Sequence, residues 1–141
     1  MSARPTALPE GSRVVIKVGS SSLTRDDGGL DLNRIDVLAK LVAGMRRRGH
    51  DVVLVSSGAV AAGLPPLGIE RRPDDLSMLA AAASVGQSHL MARWQAAMSN
   101  YGVVVAQVLL TAQDVAVRSH YRTVRATFDA LLSMGAVPIV N

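Results

Sequence analysis

Four short runs of β-branched and other aliphatic residues, separated by longer stretches of helical period, constrain this 141-residue chain more than any other feature. The runs are 13–18 (RVVIKV), 51–56 (DVVLVS), 103–109 (VVVAQVL) and 136–140 (AVPIV). The first two are almost continuously apolar, the pattern of strands covered on both faces in a parallel sheet. Between the runs, 32–48 carries Leu32, Ile35, Leu38, Ala39, Val42 and Met45 at three- and four-residue spacing, and Gly49 stops it. Residues 75–98 are alanine-rich, with Leu76, Leu79, Val85, Leu90 and Met91, and run into an Asn100-Tyr101-Gly102 turn. Residues 119–134 carry Tyr121, Val124, Phe128, Leu131 and Leu132, and Gly135 ends them. Strands alternating with helices predict an α/β fold, a mainly parallel sheet with right-handed crossovers. The Pro/Gly-rich stretch 63–73 (GLPPLGIERRP) reads as a surface loop between helices, and neither a repeat nor a domain linker interrupts the pattern.

Aromatic residues make up only 3% of the chain, so its core must be aliphatic. A hydrophobic fraction of 49% against 18% charged excludes intrinsic disorder. The absence of cysteine excludes a disulfide scaffold, a cysteine nucleophile and any thiolate metal site. The net charge of +4 comes mostly from arginine, since Lys17 and Lys40 are the only lysines. Arginine in place of lysine is as readily a mark of GC-rich coding as of function, and charge alone does not argue for nucleic acid. The densest basic run, Arg46-Arg47-Arg48, reads as a solvated helix C-terminus. Residues 1–12 contain Pro5 and Pro9 and no apolar run, so they are expected to be a flexible N-terminal segment and not a secretion signal. No window is long and apolar enough for a membrane span, and the expectation is a soluble cytoplasmic protein with no membrane partner.

Ligands of open α/β sheets bind beyond the carboxyl ends of the strands. Those ends read Lys17-Val18-Gly19-Ser20-Ser21-Ser22, Ser56-Ser57-Gly58-Ala59, Leu110-Thr111-Ala112 and Asn141. Glycine followed by small hydroxyl residues lets the chain turn and presents amides to an anion. Gly58 precedes a helix whose dipole would add to that preference. Each turn alone is equally an ordinary structural turn; two facing one cleft suit a phosphate or carboxylate. Lys17 interrupts an apolar strand. Its stem can snorkel to water, or its amine can reach the cleft and offset the charge of a transferring phosphoryl group.

Other chemistries lack their signatures. Neither G-x-x-x-x-G-K-[ST] nor G-x-G-x-x-G follows the first strand, and G-x-S-x-G is absent around Ser57. His50, His89 and His120 have no metal-ligand spacing and read as surface or helix-packing residues; no metal-ligating residues are assigned. Trp94 and Tyr101 read as packing residues.

The motifs VVIKVGSSSLT (14–24), VVLVSSGAVAAGL (52–64), ASVGQ (83–87), YGVVVAQVLLT (101–111) and AVPIVN (136–141) together resemble the amino acid kinase family. Within it they are similar to the branch that phosphorylates the γ-carboxylate of L-glutamate, at the first step of proline biosynthesis. The resemblance covers nearly the whole chain after its first dozen residues. It implies a three-layer α/β/α fold, ATP as co-substrate with Mg2+, L-glutamate as acceptor, proline as feedback inhibitor and a homo-oligomer. By carry-over, Lys17 stands at the phosphoryl-transfer site, and Gly19 and Ser20 line the ATP phosphate turn. Ser57, Gly58, Ala59 and Asn141 hold glutamate. The chain departs from the family's usual residues at Leu79-Ala80 and at Thr123-Val124, and the second departure bears on substrate affinity or subunit contacts. The family continues after the position of Asn141 into a nucleotide-binding half, so residues 13–141 are expected to be the glutamate-binding portion of a truncated kinase domain, inactive alone. Two other readings stand beside this one: a family member acting on another acid, and a non-catalytic α/β domain that binds an anion without chemistry.

Overall fold

The computed structural model describes residues 7–141, so half of the expected N-terminal segment lies outside the described residues. Residues 7–12 lead in through a turn in which the Ser12 hydroxyl donates to the Pro9 carbonyl at 2.6 Å. The elements are β1 (Arg13–Val18), α1 (Ser20–Leu23), α2 (Leu32–Arg47), β2 (Asp51–Ser56), α3 (Ala59–Gly63), α4 (Leu76–Ser99), β3 (Val105–Val108), α5 (Ala112–Ala116), α6 (Arg118–Ser133) and β4 (Val137–Val140). The four strands form one parallel sheet in the order β1-β2-β4-β3, flanked by helices. This is the α/β architecture that the alternating pattern predicts.

Register explains where the core sits. Val14 pairs with Val52, Ile16 with Leu54 and Val18 with Ser56, while Leu54 pairs with Ile139. These residues share one face. There Val52, Leu54, Val137 and Ile139 pack against Ile35, Ala39 and Val42 of α2 and Leu90, Trp94, Ala97 and Met98 of α4. Each large apolar side chain so buried contributes about 1.5–3 kcal/mol. Both helices start at aspartate caps. Asp31 accepts from the Arg34 amide at 3.2 Å and Asp75 from the Met78 amide at 2.9 Å. The Arg46 guanidinium folds back onto the His50 carbonyl and Asp51, so one member of the basic run satisfies the helix's own exit.

The first strand corrects the sequence reading. Burial alternates along β1, with Arg13, Val15 and Lys17 exposed and Val18 buried, where coverage of both faces was expected. The reason is strand order: β1 lies at the sheet edge beside β2 alone, and α6 packs on β4. Arg13 still reaches that layer through an ion pair with Asp129 at 3.2 Å. The central strand β2 is covered on both faces, as its continuous apolar run predicts. The third strand is shorter than expected, Val105–Val108.

Helices α3 and α4 cross with backbones in contact. A Cβ on Gly63 would overlap the Ala82 carbonyl group, 2.7 Å from its carbon, and one on Gly86 would sit 2.8 Å from the Ala59 carbonyl carbon. No side chain fits between the two helices there, so the short α3 is held directly on the long α4.

Candidate functional site

The first three strands run at their carboxyl ends into short helices, α1, α3 and α5, which are too brief to leave a periodic signal. At the first two the chain turns as the glycines require. Ser22 N–H donates to the Gly19 carbonyl at 3.1 Å to open α1, and Ser57 N–H donates to the Val18 carbonyl at 3.0 Å, locking the ends of β1 and β2 together. Gly58 then takes φ +112°, a left-handed conformation that a side chain would strain, and α3 begins.

These turns border a cavity of about 470 Å3. Ser20, Ser57, Gly58, Ala59 and Asn141 line it, all singled out from the sequence. Asn141 is placed by its amide, which donates to the Val108 carbonyl at 3.3 Å, and by its carboxamide, which donates to Gln87 of α4. Gly19 and Lys17 flank the cavity without lining it. Lys17 is exposed and borders a neighbouring groove with Ile16, Ser22 and Arg34. Its amine lies back over the glycine turn, 3.6 Å from where a Cβ on Gly19 would stand. Among the described residues it has no ion pair.

Three contributions escaped sequence reading. The 63–73 stretch is more than a surface loop, because Leu64, Glu70 and Arg72 from it line the cavity. Thr24 and Gly28 come from the segment after α1. That segment is closed by a Thr24–Leu30 bridge and an Arg25–Asp27 ion pair at 2.9 Å, and the hydrogen bond from Arg25 holds the Asp27 carboxyl below the usual range. Ser56, behind Ser57, is buried and bonded to Trp94. The paired arginines of 71–72 were the only available signal for the loop's role.

Much of the cavity wall is apolar, and among its polar groups donors outnumber acceptors. The amides of Gly58, Ala59 and Val60 have no hydrogen-bond partner among the described residues, and the hydroxyls of Ser20 and Ser57 and the guanidinium of Arg72 stand around them, while the Thr24 hydroxyl is committed to the Ser20 carbonyl. Such a lining suits an anionic group, with Glu70 available to a cation on the same ligand. The helix dipole invoked at Gly58 contributes little, since α3 has five residues. Among the described residues no cluster of three or more His, Asp or Glu could hold a metal ion.

An all-parallel α/β sheet with a cavity over its strand ends, rich in hydrogen-bond donors among its polar groups, has the chemistry to receive a small anionic molecule. Residues 12–141 match the amino acid kinase family, and the chain belongs to that family. The chain is 55% identical over 141 residues to the glutamate 5-kinase of Streptomyces coelicolor, 52% over 142 residues to that of Streptomyces avermitilis, and 51% over 141 residues to that of Nocardia farcinica. All of this chain is covered in each case, and 38% of each relative. The chain therefore spans a little over a third of the length of these relatives.

Proposed function

We propose that this chain binds L-glutamate in the cavity over the strand ends and serves phosphorylation of its γ-carboxylate by ATP. The observation that carries the reading is the convergence of Ser57, Gly58, Ala59 and Asn141, from two separate strand ends, on one cavity rich in hydrogen-bond donors among its polar groups. The Ser57 hydroxyl and the free amides donate hydrogen bonds to the carboxylates of the acid. The Asn141 carbonyl oxygen and Glu70 take its ammonium group. In the transfer, a γ-carboxylate oxygen forms a bond to the terminal phosphorus of ATP as the bond to the β-phosphate oxygen breaks, and ADP departs with that electron pair. Two anions must meet, so the protein's work is positioning and charge neutralisation. Lys17, with its amine over Gly19, supplies a cation next to the turn proposed for the phosphates. Magnesium belongs in this reading to the nucleotide substrate.

The nucleotide is proposed to be held largely by the further length that the relatives possess. A homo-oligomer is part of the same reading. It is supported by the exposed apolar start of α4, where Leu76 is 80% and Met78 47% accessible.

The test is a chimera in which residues 1–141 replace the matching segment of the Streptomyces coelicolor relative. Glutamate-dependent ADP release in a coupled assay is the expected result. A folded chimera that turns over a different acid would correct the substrate, and one that binds glutamate without ADP release would favour the anion-binding reading.

A further inference from the structure

Trp94 has the largest side chain in the interior, and its one polar atom is engaged. The indole Nε1–H donates to Ser56 Oγ at 3.0 Å, and the Ser56 hydroxyl donates to the Ser57 carbonyl oxygen at 3.0 Å. Trp94 is 0% and Ser56 1% exposed, so water does not compete. Indole can only donate, which leaves the serine hydrogen for the Ser57 carbonyl and fixes the direction of both bonds. Packing alone would favour an apolar residue at position 56, because its register partner Val18 and its face-mates Val52 and Leu54 are all aliphatic. The chain of bonds ends on a residue that lines the cavity.

The peptide joining Ser57 to Gly58 is trans, so its C=O and N–H point in opposite directions. Holding the Ser57 carbonyl toward the buried Ser56 hydroxyl turns the Gly58 N–H away from the core. Gly58 lines the cavity, and its amide has no protein partner among the described residues. The Ser57 N–H is fixed separately on Val18.

We infer that Trp94 is a positioning residue for this site: through Ser56 it sets the Ser57–Gly58 peptide so that the Gly58 amide faces a carboxylate or phosphate oxygen of the ligand. The choice of L-glutamate as probe rests on the function proposed above; the positioning itself does not.

The experiment uses the 15N-labelled 141-residue chain as wild type, Trp94→Phe, Ser56→Ala and the double variant. Phenylalanine keeps an aromatic ring and removes the donor; alanine removes the middle of the relay. In each variant the Gly58 amide resonance is expected to move and its solvent exchange to quicken, and the double variant to match Ser56→Ala. Titration with L-glutamate should show affinity about fivefold weaker in each single variant and no weaker in the double, the factor one neutral hydrogen bond is worth. A Gly58 resonance left unmoved by Trp94→Phe while its core neighbours shift, or effects that add in the double variant, would overturn the inference. Should Trp94→Phe fail to fold, an unmoved Gly58 in Ser56→Ala does the same. A wild-type chain that ignores L-glutamate overturns the proposed function, and the ligand-free Gly58 readout still decides the relay.

Discussion

Replacing Gly86 with alanine sets two effects of known size against each other. Alanine in a helix interior is favoured over glycine by about 1 kcal/mol. Against that, the new Cβ would stand 2.8 Å from the Ala59 carbonyl carbon, where ordinary contact begins near 3.4 Å, and closer still to the carbonyl oxygen. Relief requires α3 and α4 to move apart, and neither can yield by turning a side chain, because the clash is with main chain. Overpacking of this kind costs up to about 3 kcal/mol, leaving a net loss of about 2 kcal/mol. For a domain of this size that is a fall of roughly 6 °C in melting temperature. Gly44 of α2 is the internal control. A Cβ there meets only the Arg47 guanidinium at 3.8 Å, so Gly44→Ala should raise the melting temperature by a few degrees, about 0.5–1 kcal/mol. Thermal unfolding followed by circular dichroism compares the pair. If Gly86→Ala stabilises the chain as Gly44→Ala does, the helices do not cross backbone to backbone and the argument fails.

Two further outcomes are expected. The Asp114 carboxyl sits below its ordinary range because the Thr111 hydroxyl and amide donate to it, with His120 adding a smaller attraction. The α5 cap is therefore fully effective above the unfolded-state value near 4 and is lost as pH falls through the depressed folded value. Amide exchange over residues 112–116 should quicken in that acid window, and Asp114→Asn should flatten the dependence. Lys17→Ala should leave melting within about 2 °C of wild type, because an exposed side chain with no ion pair among the described residues contributes within about 0.5 kcal/mol. In the chimera the same change should abolish ADP release; retained turnover would remove Lys17 from the proposed transfer step.

The sheet and its three long helices were legible because each repeats its period over enough residues to be counted: 16 in α2 and 24 in α4. Strand order was not. An apolar run such as RVVIKV looks the same in a central strand and at an edge, and only the arrangement β1-β2-β4-β3 explains why Val15 is 63% exposed. The short helices at the strand ends have too few residues for periodicity, yet the glycines and serines around α1 and α3 marked the turns where those two begin. Ser57, Gly58 and Asn141 were found through that rule about strand ends. Glu70 and Arg72 were missed because a loop's fold depends on what it packs against. Lys17 was read either as snorkelling to water or as reaching the cleft; an odd-numbered position on β1 faces the opposite side of the sheet from Val18, and its flexible stem lays the amine over the Gly19 turn. Trp94 was read as packing, which it is; its second role depends on a serine 38 positions away.

That same side chain makes the protein self-reporting. Trp94 is the sole tryptophan of the chain, and it is buried, held by one hydroxyl, and two bonds removed from the cavity wall. Its intrinsic emission arises from a single environment, so one optical signal, without any label, follows both the integrity of the core and a change at the Ser57–Gly58 turn.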